Sequence, residues 1–263
     1  MKEIFSRQKH YLSCDIDGHD DITLGITTRH NGLSLYPEKA FNMARYIDDE
    51  PDNITQHQEI LAKEIDFKRE DWVFPIQTHE NHVKEVRSSD KGTNIRELTN
   101  ELHGIDGLFT YEPDLLLTMC FADCVPIYLY DVNESYVGLC HAGWRGTHSQ
   151  IIKEMIAQYK GDISQLRIVI GPSTSNSYEI NNDIYLKFKT LPINSELYIE
   201  QRGHDRYGID LKLANELLAI HYGIDPKHII KSQHCTASET DLFFSYREEK
   251  GNTGRMLAFI GRK

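Results

Sequence analysis

The feature that most constrains the fold is a dense series of apolar segments in the middle of the chain. Four of them follow one another at short spacing, at Asp106–Thr110, Leu115–Phe121, Val125–Tyr130 and Tyr136–Cys140. Each has the length of a strand and is apolar almost throughout, whereas a strand with one face in water would alternate apolar and polar residues. The pattern therefore predicts a sheet that is covered on both faces.

Helical patterns flank these strands without the regular alternation of a parallel α/β fold. Helices are expected after an Asp52-Asn53 cap, over 149–160, near 182–190, and from the cap Asp210 to Gly223. The polar residues 88–104 predict a surface loop, and 243–246 and 256–260 are expected to be closing strands. No linker or repeat interrupts residues 1–263. We predict one α/β domain with mixed sheets over this whole length.

Composition excludes several classes of partner. The chain has 263 residues, a net charge of −11 and an isoelectric point near 5.6. An acidic chain without a basic block binds nucleic acids and anionic membranes poorly, although a local basic pocket for a small anion remains open. There is no apolar leader or membrane-length segment, and the five cysteines are an odd number. These features lead us to expect a cytoplasmic protein with reduced thiols.

One motif combines a histidine, a tryptophan and an arginine with two glycines. The stretch His141-Ala142-Gly143-Trp144-Arg145-Gly146-Thr147 follows an apolar segment and leads into a helical pattern. Glycines allow close approach of a ligand, and the first turn of a helix offers free N–H groups to an anion. The motif is equally compatible with a structural strand–helix turn that packs its tryptophan and exposes its arginine.

Polar residues at the ends of apolar segments suggest a site. His79 follows Gln77-Thr78, Cys124 follows Ala122-Asp123, and His141 follows Cys140. Two imidazoles and a thiolate suit zinc, and three protein ligands leave the open position that is typical of catalytic zinc. Two alternatives remain open, namely a buried thiol with two hydrogen-bonded histidines, and a metal-free Cys–His nucleophile pair.

Two arginines are candidate anion ligands, because a guanidinium matches phosphate or carboxylate with paired donors. Arg29 follows a predicted strand at a glycine turn, and Arg145 follows the tryptophan of the motif. The segments Ser245-Tyr246-Arg247 and Thr253-Gly254-Arg255 either add to the same pocket or close a hairpin.

These motifs together resemble the YfiH/DUF152 family, whose members are called laccase-domain or polyphenol oxidoreductase proteins and also purine nucleoside phosphorylases. The matching strings are Gln77–His79, Ala122–Pro126, His141–Thr147, Ile170–Pro172, and 243–247 with 253–255. The resemblance extends from Gly25–Arg29 and Phe41–Ala44 to the C-terminus. It implies a four-layer α-β-β-α domain.

The resemblance also implies an activity and a cofactor. Zinc would be held by His79, Cys124 and His141, and the reaction would be phosphorolysis of adenosine, inosine and guanosine to the base and ribose 1-phosphate. Adenosine deamination and cleavage of 5′-methylthioadenosine would accompany it. Alternatives are copper-dependent oxidation of phenols and a non-catalytic binding role linked to cell division. A single Cys/His₂ site falls short of a multicopper cluster, so zinc is favoured over copper. We expect a monomer or a weak homodimer.

Within this scheme several residues have expected roles. Arg29, Asn42 and Arg145 would bind substrate or phosphate, and Asp123 or Glu80 would move a proton. His82 is a further candidate for proton transfer.

The chain departs from the family pattern in two places. Glu80 replaces a common glycine, and the segment Ser173–Tyr178 has no cysteine where relatives often carry one.

Overall fold

The computed structural model describes residues 2–16, 18–35, 38–175 and 178–263. In chain order its strands are β1 (Ser6–Arg7), β2 (Tyr11–Ser13), β3 (Ile22–Thr27), β4 (Ser34–Leu35), β5 (Glu38–Ala40), β6 (Trp72–Val73), β7 (Val83–Glu85), β8 (Gly107–Thr110), β9 (Leu115–Phe121), β10 (Val125–Asp131), β11 (Val137–Ala142), β12 (Leu166–Ile170), β13 (Tyr178–Ile180), β14 (Ile199–Gly203), β15 (Arg206–Ile209), β16 (Ile229–Lys231) and β17 (Met256–Arg262).

The helices in these ranges are α1 (Pro51–Glu64), α2 (Trp144–His148), α3 (Ile151–Gln158), α4 (Asn182–Phe188) and α5 (Leu211–His221). Short 3₁₀ turns lie at Arg69–Asp71, Ser88–Asp90, Ile163–Gln165, Ser195–Leu197 and Pro226–His228. None of the helices in the described part of the chain combines the length and apolar character needed to cross a membrane.

Two six-stranded sheets form the centre of the molecule. The first has the order β1-β2-β3-β17-β9-β6, and the second has the order β16-β12-β10-β11-β8-β7. Most neighbours are antiparallel, but β6 runs parallel to β9, β7 to β8 and β12 to β16. The sheets are therefore mixed, as predicted. Smaller sheets are formed by β13-β15-β14 and by β4-β5.

Alternate residues of β9 show why its sequence is apolar throughout. Leu115, Leu117 and Met119 belong to the core between the two large sheets. Leu116 and Cys120 point to the other face, where they join a second core that includes Leu61 of α1. Because successive side chains of a strand point to opposite faces, a strand buried on both sides must be apolar at every position.

The second sheet follows the same rule. Tyr128 of β10 faces the first sheet, whereas Ile127 and Leu129 join a third core with residues of α3 and α5, such as Met155 and Leu218. Three apolar layers thus separate α1, the first sheet, the second sheet and the helices α3 and α5. This is the predicted α-β-β-α arrangement.

Several local expectations need correction. Helix α1 starts after Glu50, not at an Asp52-Asn53 cap, because Pro51 occupies the first helical position, where its missing N–H costs nothing. Within residues 88–104, Asn94, Ile95 and Leu102 are buried, so this segment is not simply a surface loop. The expected strand at 243–246 is irregular backbone that leads into a turn at Tyr246. The Asp210 cap is confirmed by its bond to the Leu213 N–H.

The core between the sheets gives a stability prediction. Leu117→Ala, at a fully buried position, should lower the free energy of unfolding by about 2–5 kcal/mol through lost contacts and a residual cavity. Leu197→Ala, at a position 58% exposed, should change it by less than about 0.5 kcal/mol. Urea denaturation followed by circular dichroism measures both values. Equal losses in the two variants would contradict the assignment of Leu117 to the core.

Candidate metal centre and the cavity around it

Three soft donor side chains meet where the two large sheets come together at one end. His79 lies in the loop after β6, Cys124 ends the bend that crosses from β9 of the first sheet to β10 of the second, and His141 lies near the end of β11. Their ligand atoms all lie within 4.8 Å of one another, and His141 is buried while His79 is exposed. The group could therefore hold a metal ion at a point that solvent reaches from one side.

A fourth residue, Asp106, organises this group. Its fully buried carboxylate accepts a hydrogen bond of 2.8 Å from Nδ1 of His141. It also accepts bonds of 3.0 Å from the backbone N–H groups of Thr78, His79 and Glu80. One carboxylate thus fixes the ring of one donor and the backbone of another. An imidazole held in this way presents its other nitrogen as a ligand.

Asp106 is not among the residues predicted from the sequence, because it directly precedes the apolar residues of β8 and reads as part of that segment. A signal was nevertheless present, since a carboxylate beside such a segment is costly unless it is paired. The same reasoning drew attention to Asp123.

The charges within the group reinforce one another. Burial opposes the thiolate of Cys124, but the facing imidazoles of His141 and His79 outweigh it and lower the pKa of Cys124 below that of an ordinary cysteine. Burial alone would lower the pKa of His141, but the thiolate and the Asp106 carboxylate raise it. For Asp106, the bonds from His141 and from the Glu80 and Thr78 backbone outweigh burial and lower the pKa of the carboxyl. The thiolate that a metal requires is therefore favoured at neutral pH.

The donor set fits a zinc ion. Zinc binds imidazole nitrogen at about 2.0–2.1 Å and thiolate sulfur at about 2.3 Å, usually with tetrahedral geometry. Gly143 makes room for this packing, because a Cβ atom there would lie 2.9 Å from Sγ of Cys124 and 3.3 Å from Cδ2 of His79. The glycine that caps α2 is thus needed for this close packing.

A cavity of about 610 Å³ opens in front of the three donors. Aromatic and cationic side chains line it together with them, namely Tyr46, Trp144, Tyr178, Tyr246, Arg145, Arg247, Lys250 and Arg255. Of the two alternatives for the segments 245–247 and 253–255, the structure supports addition to the pocket. Cys120, also on the wall, has its pKa raised to about 12 by burial and is not a reactive thiol.

The candidates for proton transfer lie in different surroundings. Asp123 lines the cavity, but its carboxylate already accepts bonds from Thr236, Ser245 and the Arg247 N–H. Glu80 and His82 are exposed and lie outside the cavity lining, with Nδ1 of His82 3.2 Å from Oε2 of Glu80.

The expected anion ligands are separated by the structure. Arg145 lines the cavity with its guanidinium 4.6 Å from the centre of the Trp144 ring. Arg29 does not line it, and its guanidinium is bonded to Glu249 and to the carbonyls of Thr240 and Phe243. Asn42 is fully buried and bonded to Asp49 and to the Arg255 N–H.

The structure also locates the two departures from the family pattern, Glu80 and the segment Ser173–Tyr178. Glu80 projects into solvent. In the segment Ser173–Tyr178, Tyr178 lines the cavity, whereas residues 176 and 177 lie outside the described residues.

Fold, site and sequence comparisons agree on the class of protein. A family model described as multi-copper polyphenol oxidoreductase laccase matches residues 23–263. The chain belongs to this family, which is the YfiH/DUF152 family of the resemblance.

Named relatives and solved structures cover the chain almost completely. Proteins of Staphylococcus epidermidis and Staphylococcus aureus, both named purine nucleoside phosphorylase, are 59% and 57% identical over 263 residues, with 100% of both chains covered in each case. The crystal structure of YlmD from Geobacillus stearothermophilus is 35% identical, with a TM-score of 0.96 and 100% coverage of both chains. That of a Bacillus licheniformis hypothetical protein, YfiH, is 33% identical, with a TM-score of 0.94, and covers 98% of this chain and 99% of its own. The relatives' names support a phosphorylase-type enzyme.

The role of Asp106 leads to a prediction about metal affinity. Asp106→Asn should weaken zinc binding about 10–100-fold, because the carboxylate that orients the His141 ring and the His79 backbone loses its charge. Competition with a chromogenic chelator measures the affinity.

Asp131→Asn is the matched control, since Asp131 is also fully buried and accepts backbone N–H bonds, from Asn133 and Glu134. Both variants are measured at a temperature at which circular dichroism shows them folded. Unchanged zinc affinity in Asp106→Asn, or equal losses in both variants, would contradict the role of Asp106.

Proposed function

We propose that the protein is a zinc-dependent purine nucleoside phosphorylase that acts on adenosine, inosine and guanosine. The observation that carries the proposal is the single cavity in which three soft metal donors, four aromatic rings and four cationic side chains meet. A purine nucleoside and phosphate together require an aromatic surface for the base and positive charge for the anion. The names of the staphylococcal relatives support the same reaction.

In this reaction the bond between the purine nitrogen and C1′ of the ribose breaks, and its electron pair leaves with the base. An oxygen of hydrogen phosphate forms the new bond to C1′, and the proton of that phosphate ends on the base. The products are the free base and ribose 1-phosphate. Positive charge develops on the sugar while the bond breaks, so a phosphate held close to C1′ lowers the barrier.

The residues of the chain divide these tasks in the proposal. Trp144 and the cavity tyrosines offer faces on which the base stacks, and Arg145 at the mouth offers donors to an anion. His79, Cys124 and His141 would hold zinc, which would supply Lewis acidity toward a substrate lone pair. The three bonds that Asp123 already accepts support a positioning role for it over proton transfer. The proposed activity also includes deamination of adenosine and cleavage of 5′-methylthioadenosine, and only the family resemblance supports these two reactions.

A direct assay tests the proposal. The purified protein is analysed for bound metal and incubated with adenosine, with and without phosphate, while adenine, inosine and hypoxanthine are measured by chromatography. We expect adenine and ribose 1-phosphate only when phosphate is present. Absence of turnover would overturn the proposed phosphorylase and favour a binding role. Oxidation of a phenol on addition of copper would overturn it in favour of a copper oxidase.

His79→Ala separates the zinc enzyme from the metal-free Cys–His pair. The substitution removes one metal donor but leaves the chain of contacts from Cys124 through His141 to Asp106. We expect loss of bound zinc and a fall in kcat/KM of at least about 100-fold, given the usual size of the contribution of a catalytic metal. His221→Ala, at an exposed position on α5, is the control and should retain both. Full activity of metal-free His79→Ala would instead assign the chemistry to the thiolate.

A further inference from the structure

Positive charge is concentrated in the cavity of an otherwise acidic molecule. Of the four cations on its wall, Arg247, Lys250 and Arg255 belong to one segment, residues 243–255, here called the cationic loop. Among the described residues, no carboxylate lies within 4.0 Å of the charged groups of these three or of Arg145. Acidic residues outnumber basic ones by 40 to 29, so unpaired cations in one place point to an anionic ligand.

The two arginines of the cationic loop are held in place before any ligand binds. The guanidinium of Arg247 lies 3.9 Å from the centre of the Tyr178 ring and donates from Nη2 to the Glu179 carbonyl. The guanidinium of Arg255 donates from Nη1 to the carbonyls of Thr253 and Gly254. A guanidinium has five N–H donors, so each retains donors for a ligand. Groups fixed in this way lose little entropy on binding.

Glu249 holds the cationic loop together from inside. One carboxylate oxygen accepts bonds from the Ser245 N–H at 3.0 Å and the Thr253 hydroxyl at 2.5 Å. The other oxygen accepts a bond of 2.9 Å from Arg29. Because this ion pair neutralises Glu249, the carboxylate does not cancel the positive charge that the loop presents to the cavity.

Two further residues anchor the arginines through the backbone. The carboxylate of Asp123 accepts a bond of 2.8 Å from the Arg247 N–H and one of 3.0 Å from the Ser245 hydroxyl. The side-chain oxygen of Asn42 accepts a bond of 3.0 Å from the Arg255 N–H. Arg29, Asn42 and Asp123 therefore share one task, which is to hold the cationic loop against the cavity.

We propose that the cationic loop is the phosphate-binding part of the site. Arg247 and Arg255 provide the fixed paired donors, and exposed Lys250 adds a mobile charge from the rim. Arg29, Asn42 and Glu249 are positioning residues that act through the loop and do not touch the anion. The identification of the anion as the phosphate that attacks C1′ rests on the proposed function, whereas the location of an anion site on this loop rests on the contacts described above.

The test uses Arg247→Gln and Arg255→Gln, which remove charge at similar length, and Arg87→Gln at an exposed position 65% accessible as the control. Binding of inorganic phosphate to the zinc-loaded protein is measured by isothermal titration calorimetry, with and without adenine present. We expect each cavity variant to raise the dissociation constant about tenfold or more, the usual effect of losing a charge-assisted hydrogen bond. The KM for phosphate should rise equally, while the KM for adenosine and the zinc content stay within about twofold.

A second pair of variants tests the positioning residues. Arg29→Gln should raise the KM for phosphate about threefold or more with little change in the KM for adenosine, because the negative charge of Glu249 is then no longer offset and weakens the attraction of the loop for an anion. Arg29→Lys restores the ion pair and should restore most of the phosphate affinity. A change confined to thermal stability in Arg29→Gln would overturn the positioning role.

The outcomes distinguish this inference from the proposed function. Phosphate binding that weakens in the two arginine variants, in a protein that cleaves no nucleoside, would retain the anion site and reject the phosphorylase. Phosphorolysis with an unchanged KM for phosphate in both variants would retain the phosphorylase and reject this location. A wild-type protein that binds no phosphate in either titration would also overturn the inference.

Discussion

The arrangement of the whole site depends on the buried carboxylate of Asp106. It precedes β8 of the second sheet, yet it bonds the loop that follows β6 of the first sheet as well as His141 at the end of β11. A buried charge is costly unless its hydrogen-bonding capacity is met, and here three backbone N–H groups and an imidazole meet it. The same bonds that stabilise the buried charge hold His79 and His141 close to each other and to Cys124. The position of the candidate metal centre therefore depends on the two sheets being joined at this carboxylate.

The layered fold was predictable from the sequence because burial on both faces of a strand leaves a direct mark on composition. Every residue of β9 and β10 is buried, and the apolar segments match these strands closely. The ends of strands and helices are less predictable where side-chain contacts compete with the backbone hydrogen bonds of a regular element. Phe243–Tyr246 has strand-forming residues but forms no strand, because Glu249 accepts the Ser245 N–H and Asp123 accepts the Ser245 hydroxyl and the following Arg247 N–H. Asp123 lies 122 residues before Ser245, and Glu249 lies 4 residues after it, so neither contact is visible in the local pattern of residues.

The candidate site shows the same limit. The three donors could be named because they are polar residues at the ends of apolar segments, but that pattern left three alternatives open, and only the family resemblance implied zinc. The direction of an arginine side chain has no sequence signal, so Arg29 looked as suitable for an anion as Arg145, and it stayed open whether the segment with Arg247 joins the pocket or closes a hairpin. Only tertiary contacts show that Arg29 is occupied by Glu249 and two carbonyls, while Arg247 lies flat on Tyr178 at the cavity wall.

The backbone at His79 and Asp123 has a consequence for how such a site persists. Both residues have positive φ angles, of 65° and 82°, in the region that glycine adopts without cost. Each non-glycine residue held there costs on the order of 1–3 kcal/mol of stability. Selection for stability alone would favour glycine at both positions and would remove a metal donor and the anchor of the cationic loop. On the proposed function, histidine and aspartate at these positions exchange stability for chemistry, and screens for thermostable variants would tend to erode the site first.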